Sequence, residues 1–337
     1  MVLEALKRAA LRGVKVFLVV DGYASQNLPR RVVRDLREAG IAFRFFEPFI
    51  KSRYFYFGRR LHHKIYVADG RYALVGGINI ADRYNDLPGI PAWLDFALEV
   101  EGEAALQLCI LCWKTWKGFP RKMGPTPCEL SPTRIHIAPC DAMKVRLRRN
   151  DWVRRRNEIS ASYVQMFRRA RCEICLLSSY FLPGKFIRKM LTEAVRRGVK
   201  VTVITAGTSD VPMAKHAERW LYDWLLRNRI RLYEYQPSVL HAKLAVCDGE
   251  WMTAGSYNVN NISAYASIEL NLDVRNNKIA GETRAILSQI IENDCIAVTP
   301  DTHRKSKNFL IQFLRWLSYQ VIRWMFYALT FYYKRRG

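Results

Sequence analysis

The chain has 337 residues, with 54 Lys and Arg against 30 Asp and Glu, a formal charge of +24 at neutral pH. Half of it is apolar and a quarter charged, which excludes a disordered tail and a multi-span membrane protein and allows two ordinary domains. Positive charge spread along the whole chain implies a polyanionic partner, either nucleic acid or an anionic membrane surface.

In chain order, residues 1–11 place apolar side chains at 2, 3, 6, 9 and 10, the spacing of a charged amphipathic helix rather than a secretory leader. The protein is therefore expected to face the cytoplasm. A strand follows at 17–20, then another at 61–67, an Asp-Gly turn at 69–70, a strand at 72–75 and Gly76-Gly77. Residues 119–157 hold Pro120, Pro125, Pro127, Pro132 and Pro139, then Lys144, Arg146, Arg148, Arg149 and Arg154-Arg155-Arg156. Prolines at that density predict an irregular linker, with a basic stretch that is either a solvated surface or a landing patch for phosphates. The pattern then resumes, with strands at 173–181, 202–205, 240–246 and 251–254, an Asp-Gly turn at 248–249, and Gly255-Ser256.

That resumption is a repeat. Arg12-Gly-Val-Lys-Val16 recurs as Arg197-Gly-Val-Lys-Val201, each copy after an amphipathic helix and before a strand. His62, Lys64, Asp69 and Asn79 recur 179 residues later as His241, Lys243, Asp248 and Asn258. The chain is expected to be α/β, built of two pseudo-symmetric units at 1–118 and 158–300. Each is a mixed sheet flanked by helices, and 119–157 is the linker. The second unit has a strand at 173–181 whose counterpart would fall before Met1. Either the start is misassigned or truncated, or the first sheet lacks an inner strand and leaves an unpaired edge.

On a strand, residues two apart share a face, so His62 points with Lys64 and His241 with Lys243. After the glycine turn, Asn79 and Asn258 return to that face. Two such sets facing each other make a pocket for a tetrahedral anion, with two ammonium groups and two amides to neutralise it. One imidazole can attack phosphorus while the other moves protons, a two-step exchange through a phosphohistidine. Each imidazole needs an acceptor on its second nitrogen. Asp95 and Glu269, lying 33 and 28 residues past His62 and His241 respectively, are the candidates. Asp69 and Asp248 read as turn-closing carboxylates, His63 as a packing residue, and the Ser256 hydroxyl as a phosphate donor.

Eight cysteines are too few for a disulfide scaffold and fit a reducing compartment. Cys109/Cys112 and Cys172/Cys175 form CxxC pairs, but both sit in apolar runs without turn residues, so buried thiols are preferred to zinc.

The duplicated H-x-K-x4-D, with its downstream Gly-Gly/Ser and Asn, resembles the phospholipase D superfamily over about residues 1–295. The segments Gly76-Gly-Ile-Asn79, Trp93-Leu-Asp95 with Glu99-Val-Glu-Gly102, Ser179-Tyr-Phe-Leu-Pro-Gly184, Leu221-Tyr222, Tyr233-Glu-Tyr235 and Leu240-His-Ala-Lys243 narrow it. They are similar to bacterial cardiolipin synthases of the B type. The resemblance implies two phospholipase D-like units with the site at their interface. It also implies transfer of a phosphatidyl group from phosphatidylglycerol to a second lipid, with no metal or organic cofactor. His62 would be the nucleophile and His241 the general acid/base, with Lys64, Lys243, Asp69 and Asp248 completing the catalytic motifs. Relatives carry the N-terminal strand that this sequence lacks.

Residues 301–337 form the last region. Residues 309–333 are aromatic and apolar, with Gln312, Arg315, Tyr319 and Arg323 on one narrow helical face. The longest uncharged run, 324–333, is half of the roughly twenty residues a span requires. With its Lys334-Arg335-Arg336 end, this segment reads as a helix lying in the headgroup plane, against a core helix or a true span. It tilts the partner toward anionic phospholipids and away from nucleic acid, and puts the protein peripherally on the cytoplasmic face of the cell membrane. The alternatives are a phospholipase D or nuclease that uses water as acceptor, and an inactive membrane-binding remnant.

Overall fold

The computed structural model describes residues 1–47, 60–120, 122, 124–128, 142–260, 263, 267–305 and 308–334, the side chains of 305 and 328–334 excepted. Pro132, Pro139, Cys140, the side chains at the end of the uncharged run and of Lys334, and residues 335–337 lie outside what is described.

The first unit begins with α1 (Val2–Leu11), β1 (Phe17–Asp21), α2 (Arg30–Glu38) and β2 (Ala42–Phe46). It continues with β3 (Arg60–Leu61), β4 (Lys64–Ala68), β5 (Tyr72–Gly76), β6 (Ala97–Glu101) and α3 (Glu103–Trp116). β1 and β2 pair in parallel, and β4, β5 and β6 form a separate antiparallel sheet. The β4–β5 turn takes positive φ at both Asp69 and Gly70, as a two-residue hairpin of this twist requires. α3 turns Ala105, Leu108, Leu111 and Thr115 inward at helical spacing, sealing one face of the three-stranded sheet.

Next come β7 (Lys144–Asp151), β8 (Arg156–Asn157), α4 (Glu158–Arg169), β9 (Glu173–Ser178), α5 (Lys185–Arg196) and β10 (Lys200–Ala206). After them lie α6 (Pro212–Trp220), α7 (Tyr222–Arg227), β11 (Arg231–Tyr235), β12 (Lys243–Cys247), β13 (Trp251–Gly255) and β14 (Ser267–Arg275). The chain closes with α8 (Asn277–Asp294), β15 (Cys295–Ala297), α9 (Pro300–Lys305) and α10 (Phe309–Lys334). The main path of the large sheet runs β15-β11-β10-β9-β12-β13-β14-β7-β8. Its centre is nearly dry: β9, β10, β12, β13 and β14 are buried almost throughout.

The two units share one strand plan but differ in how the strands are joined into sheets. In the second unit β9 lies between β10 and β12, parallel to one and antiparallel to the other. In the first unit β1 and β4, their counterparts, belong to different sheets. Among the described residues the first unit's strands other than β3 thus fall into two sheets, β1-β2 and β4-β5-β6.

Two expectations are corrected. The basic half of the presumed linker is a strand: β7 pairs residue for residue with β14, from Lys144 opposite Arg275 to Asn150 opposite Glu269. Alternation of Val145 and Leu147 with the cations lets one face pack on the core while Arg148 donates to Asp273 at 2.9 Å. The cysteines are not all free thiols either. Cys109 and Cys128 form a disulfide with Cα atoms 5.8 Å apart, and Cys172 is exposed rather than buried. Among the described residues no cluster of His, Cys, Asp or Glu is arranged to hold a metal ion.

α10 packs on α6 through Ile322 and Phe326 against Leu182, Ala214, Ala217 and Leu221. Its polar stripe turns inward rather than to solvent: Arg315 and Ser318 are buried, Tyr319 packs in the cluster, and only Arg323 stays outside. A buried ionic cluster gives the reason. Lys215 bridges Glu218 at 2.8 Å and Glu234 at 2.9 Å beneath the helix, and Arg315 lies within reach of Tyr222 and Glu234. The face left outside carries Phe309, Leu310, Phe313, Trp316, Leu317, Val321, Trp324 and Tyr327. No helix among the described residues is long and apolar enough to cross a membrane.

Candidate active site

Each motif histidine leaves its own unit's ladder just before the motif strand begins. β3 pairs in parallel with Ser267 and Ile268 of β14, and the N–H groups of His62 and His63 both donate to the Ile268 carbonyl, at 3.0 and 3.1 Å. In mirror fashion Leu240 bridges Leu94, and the His241 N–H donates to the Leu94 carbonyl at 2.8 Å. The histidines therefore precede β4 and β12 instead of lying within one continuous strand with Lys64 and Lys243.

These bridges cross the carboxylates. His62 Nδ1 donates to Glu269 Oε2 at 2.9 Å, and His241 Nδ1 donates to Asp95 Oδ2 at 2.7 Å. Pairing Asp95 with His62 and Glu269 with His241 by closeness in sequence is thus wrong. Each imidazole is oriented by the other unit, and both carboxylates are buried. Because Nδ1 is occupied on both rings, both Nε2 atoms are left for chemistry.

The lysines converge on the same place. Lys64 Nζ donates to the His62 carbonyl at 2.5 Å, and Lys243 Nζ donates to the His241 carbonyl and to Ser179 Oγ, the latter at 3.0 Å. Burial pushes Lys64 down to about 8 and Lys243 down to about 7. Burial also lowers His62 and takes His241 to about 4, helped by the lysine of each unit and of the opposite one. Each imidazole thus feels the ammonium groups of both units. A bound phosphate anion would reverse these shifts by restoring a counter-charge to the ammonium groups.

The remaining expected residues divide. Asn79 Nδ2 donates to the Tyr84 hydroxyl at 2.9 Å, and that hydroxyl lies 3.1 Å from His241 Nδ1, so Asn79 serves the opposite histidine. Asn258 is buried in the same turn of the second unit, with its side-chain oxygen unpaired. Ser256 does not offer its hydroxyl to a ligand: it donates to Glu269 Oε2, while Ser267 donates to Oε1 at 2.6 Å. Gly77, its counterpart, has to be glycine, since a Cβ there would stand 2.5 Å from the Asp95 oxygens. Asp248 accepts from the N–H groups of Arg171, Cys172 and Glu173 at 2.8–2.9 Å, tying down the start of β9 at the far end of the motif strand. It is a structural carboxylate. Asp69 occupies the matching Asp-Gly turn of the first unit. His63 stays neutral, pushed down to about 3 by burial.

Three contributors escaped the sequence reading: Tyr84, Trp93 as a ring against His241 at 5.8 Å, and Ser179 on Lys243. Trp93 and Ser179 lie in segments carrying the family likeness, whereas nothing in the spacing marks Tyr84.

Residues 1–88 and 163–291 match the family model of the cardiolipin synthase, PLD-like domain. Cardiolipin synthase B of Salmonella typhi is 34% identical over 301 residues, covering 86% of this chain and 70% of that protein. Cardiolipin synthase B of Escherichia coli K12 is 33% identical over 303 residues with the same coverage. The chain belongs to the cardiolipin synthase, PLD-like family. This family member is a phosphatidyltransferase associated with membranes. Phosphatidylserine synthase of Haemophilus influenzae shares its fold, with a TM-score of 0.69 at 13% identity over 95% of this chain and 84% of the other.

Proposed function

We propose that this chain makes cardiolipin by transferring a phosphatidyl group from phosphatidylglycerol to the hydroxyl of a second phospholipid, through a phosphohistidine and without a metal. The crossed His62–Glu269 and His241–Asp95 pairs support this reading, because they occupy Nδ1 on both rings and leave both Nε2 atoms for chemistry. In the first step His62 Nε2 attacks phosphorus, a P–N bond forms, and the P–O bond to the donor's glycerol breaks. His241, protonated when the anion is bound, gives its Nε2 proton to that leaving oxygen. In the second step the acceptor hydroxyl attacks phosphorus, its proton returns to His241, and the P–N bond breaks. Lys64 and Lys243 supply the positive charge that the equatorial oxygens need. The greater exposure of the His62 side chain, 34% against 10% for His241, supports His62 as nucleophile.

The outward face of α10 and the charge of +24 support peripheral docking on anionic phospholipids at the cytoplasmic face, with no nucleic-acid partner. Alkylation of Cys109 and Cys128 in intact cells tests that side: reduced thiols are expected there, and a disulfide that persists would count against it. The function is tested by incubating the protein with phosphatidylglycerol vesicles and weighing the products. Cardiolipin and free glycerol are expected, with an acid-labile phosphoryl group on His62 after a quench. Phosphatidic acid alone would show a hydrolase, and vesicle binding without turnover an inactive remnant; either outcome rejects the proposal.

A further inference from the structure

The cleft is asymmetric at its mouth. Arg83 stands in the one-turn segment Asp82–Tyr84, with its guanidinium 4.7 Å from the centre of the Trp93 ring. Trp93 in turn lies against the His241 imidazole, and its N–H donates to the Arg83 carbonyl at 2.9 Å, which pins the two residues together. On the next residue, the Tyr84 ring meets the same imidazole edge-on at 5.6 Å. Arg83 is exposed and has no carboxylate partner among the described residues. A guanidinium stacked by its face keeps its edge donors directed outward and loses little freedom on gripping a phosphate. The residue 179 positions on in the sequence is Ile262, so the repeat supplies this cation on one side only.

We propose that Arg83 binds a phosphate carried by the acceptor itself, so that the enzyme selects acceptor alcohols bearing their own phosphate group. This deepens the transferase reading and rests on it. The donor's phosphate lies between the two histidines. The acceptor hydroxyl that attacks it gives its proton to His241, so the acceptor must lie on the His241 side. A phosphate a few bonds from that hydroxyl, as in a glycerol headgroup, falls beside the Trp93–Arg83 stack. Water and free glycerol have nothing to offer the guanidinium.

The test lets two acceptors compete for the covalent intermediate in the full chain: phosphatidylglycerol in mixed vesicles, and deuterated glycerol in solution. The product ratio of cardiolipin to deuterated phosphatidylglycerol is then read by mass. Arg83→Gln is expected to lower that ratio about tenfold, with Arg83→Lys between it and the unmodified chain. An unchanged ratio, including a uniform fall of both products, overturns the proposal, since damage to the fold or to His241 would slow both acceptors alike. Cleavage by water alone in the unmodified protein would remove the transferase reading, and the role of Arg83 with it.

Discussion

The two units follow one strand plan but are built to different standards. In the second, β9 fills the centre of the sheet, is buried on both faces and is followed directly by Ser179, whose hydroxyl accepts from the Lys243 ammonium. In the first, β1 and β4 belong to different sheets, all five β1 residues are at least partly exposed, and among the described residues Lys64 donates to the His62 carbonyl. The Asp21 carboxylate takes up part of the slack, accepting from the Leu61 N–H at 2.7 Å and from Arg60 Nε at 3.0 Å just ahead of His62. The second unit is thus the rigid half of the site, and the first is held mainly by what it borrows from its neighbour. Catalytic geometry here depends more on bridges between units than on completeness within either.

That contrast can be broken or sharpened by experiment. The largest effect is expected from the imidazoles: His62→Ala and His241→Ala each lower transfer by about 10³-fold or more while vesicle binding persists. Wild-type turnover in either would end the two-histidine scheme. Next come the crossed partners, where Glu269→Gln and Asp95→Asn each cost about 10²-fold. Adding Glu269→Gln to His62→Ala should cost nothing further, whereas adding Asp95→Asn should; the reverse order would restore pairing within each unit. The pH profile of kcat/KM is a third measure. That ratio already declines as His241 loses its proton above about pH 4, and it should fall more steeply as the depressed lysines lose their charge through about 7 for Lys243 and about 8 for Lys64. It should fall again at low pH, as His62 gains the proton that burial had kept off. A flat profile from pH 6 to pH 9, about one unit beyond each lysine, would contradict the lowered values. The smallest effect concerns packing. Val203→Ala, in β10, should cost about 2 kcal/mol, and Leu18→Ala, at the matching place in β1, about 1 kcal/mol despite removing more side chain. Equal costs in chemical denaturation would mean that the broken sheet is as well packed as the intact one.

Much of this was readable from spacing alone. The repeat, the Asp-Gly hairpins and the gathering of His62, Lys64, His241 and Lys243 follow from period and register, which are local properties. The exchange of Asp95 and Glu269 was not, because it depends on β3, a two-residue strand with no periodicity of its own, pairing with a segment some 200 residues away. Ser256 was misread for a related reason: its counterpart is a glycine, and only the approach of Glu269 shows where the hydroxyl goes. β7 was hidden by its charge, although Val145 and Leu147 alternate with the cations as a half-buried strand requires. In the last helix, composition identified an amphipathic segment, but only the ionic cluster under α6 decides which side faces in.

The exchange of carboxylates has a consequence for how such a chain can be divided. Either half, expressed alone, would carry an intact signature string and yet an imidazole with no anchor for its inner nitrogen. Co-expressed halves should regain turnover only when they associate, and mixing a first half lacking His62 with a second half lacking His241 should leave both proton relays broken. Covalent fusion of the two repeats thus guarantees one-to-one stoichiometry for a machine whose parts are useless singly.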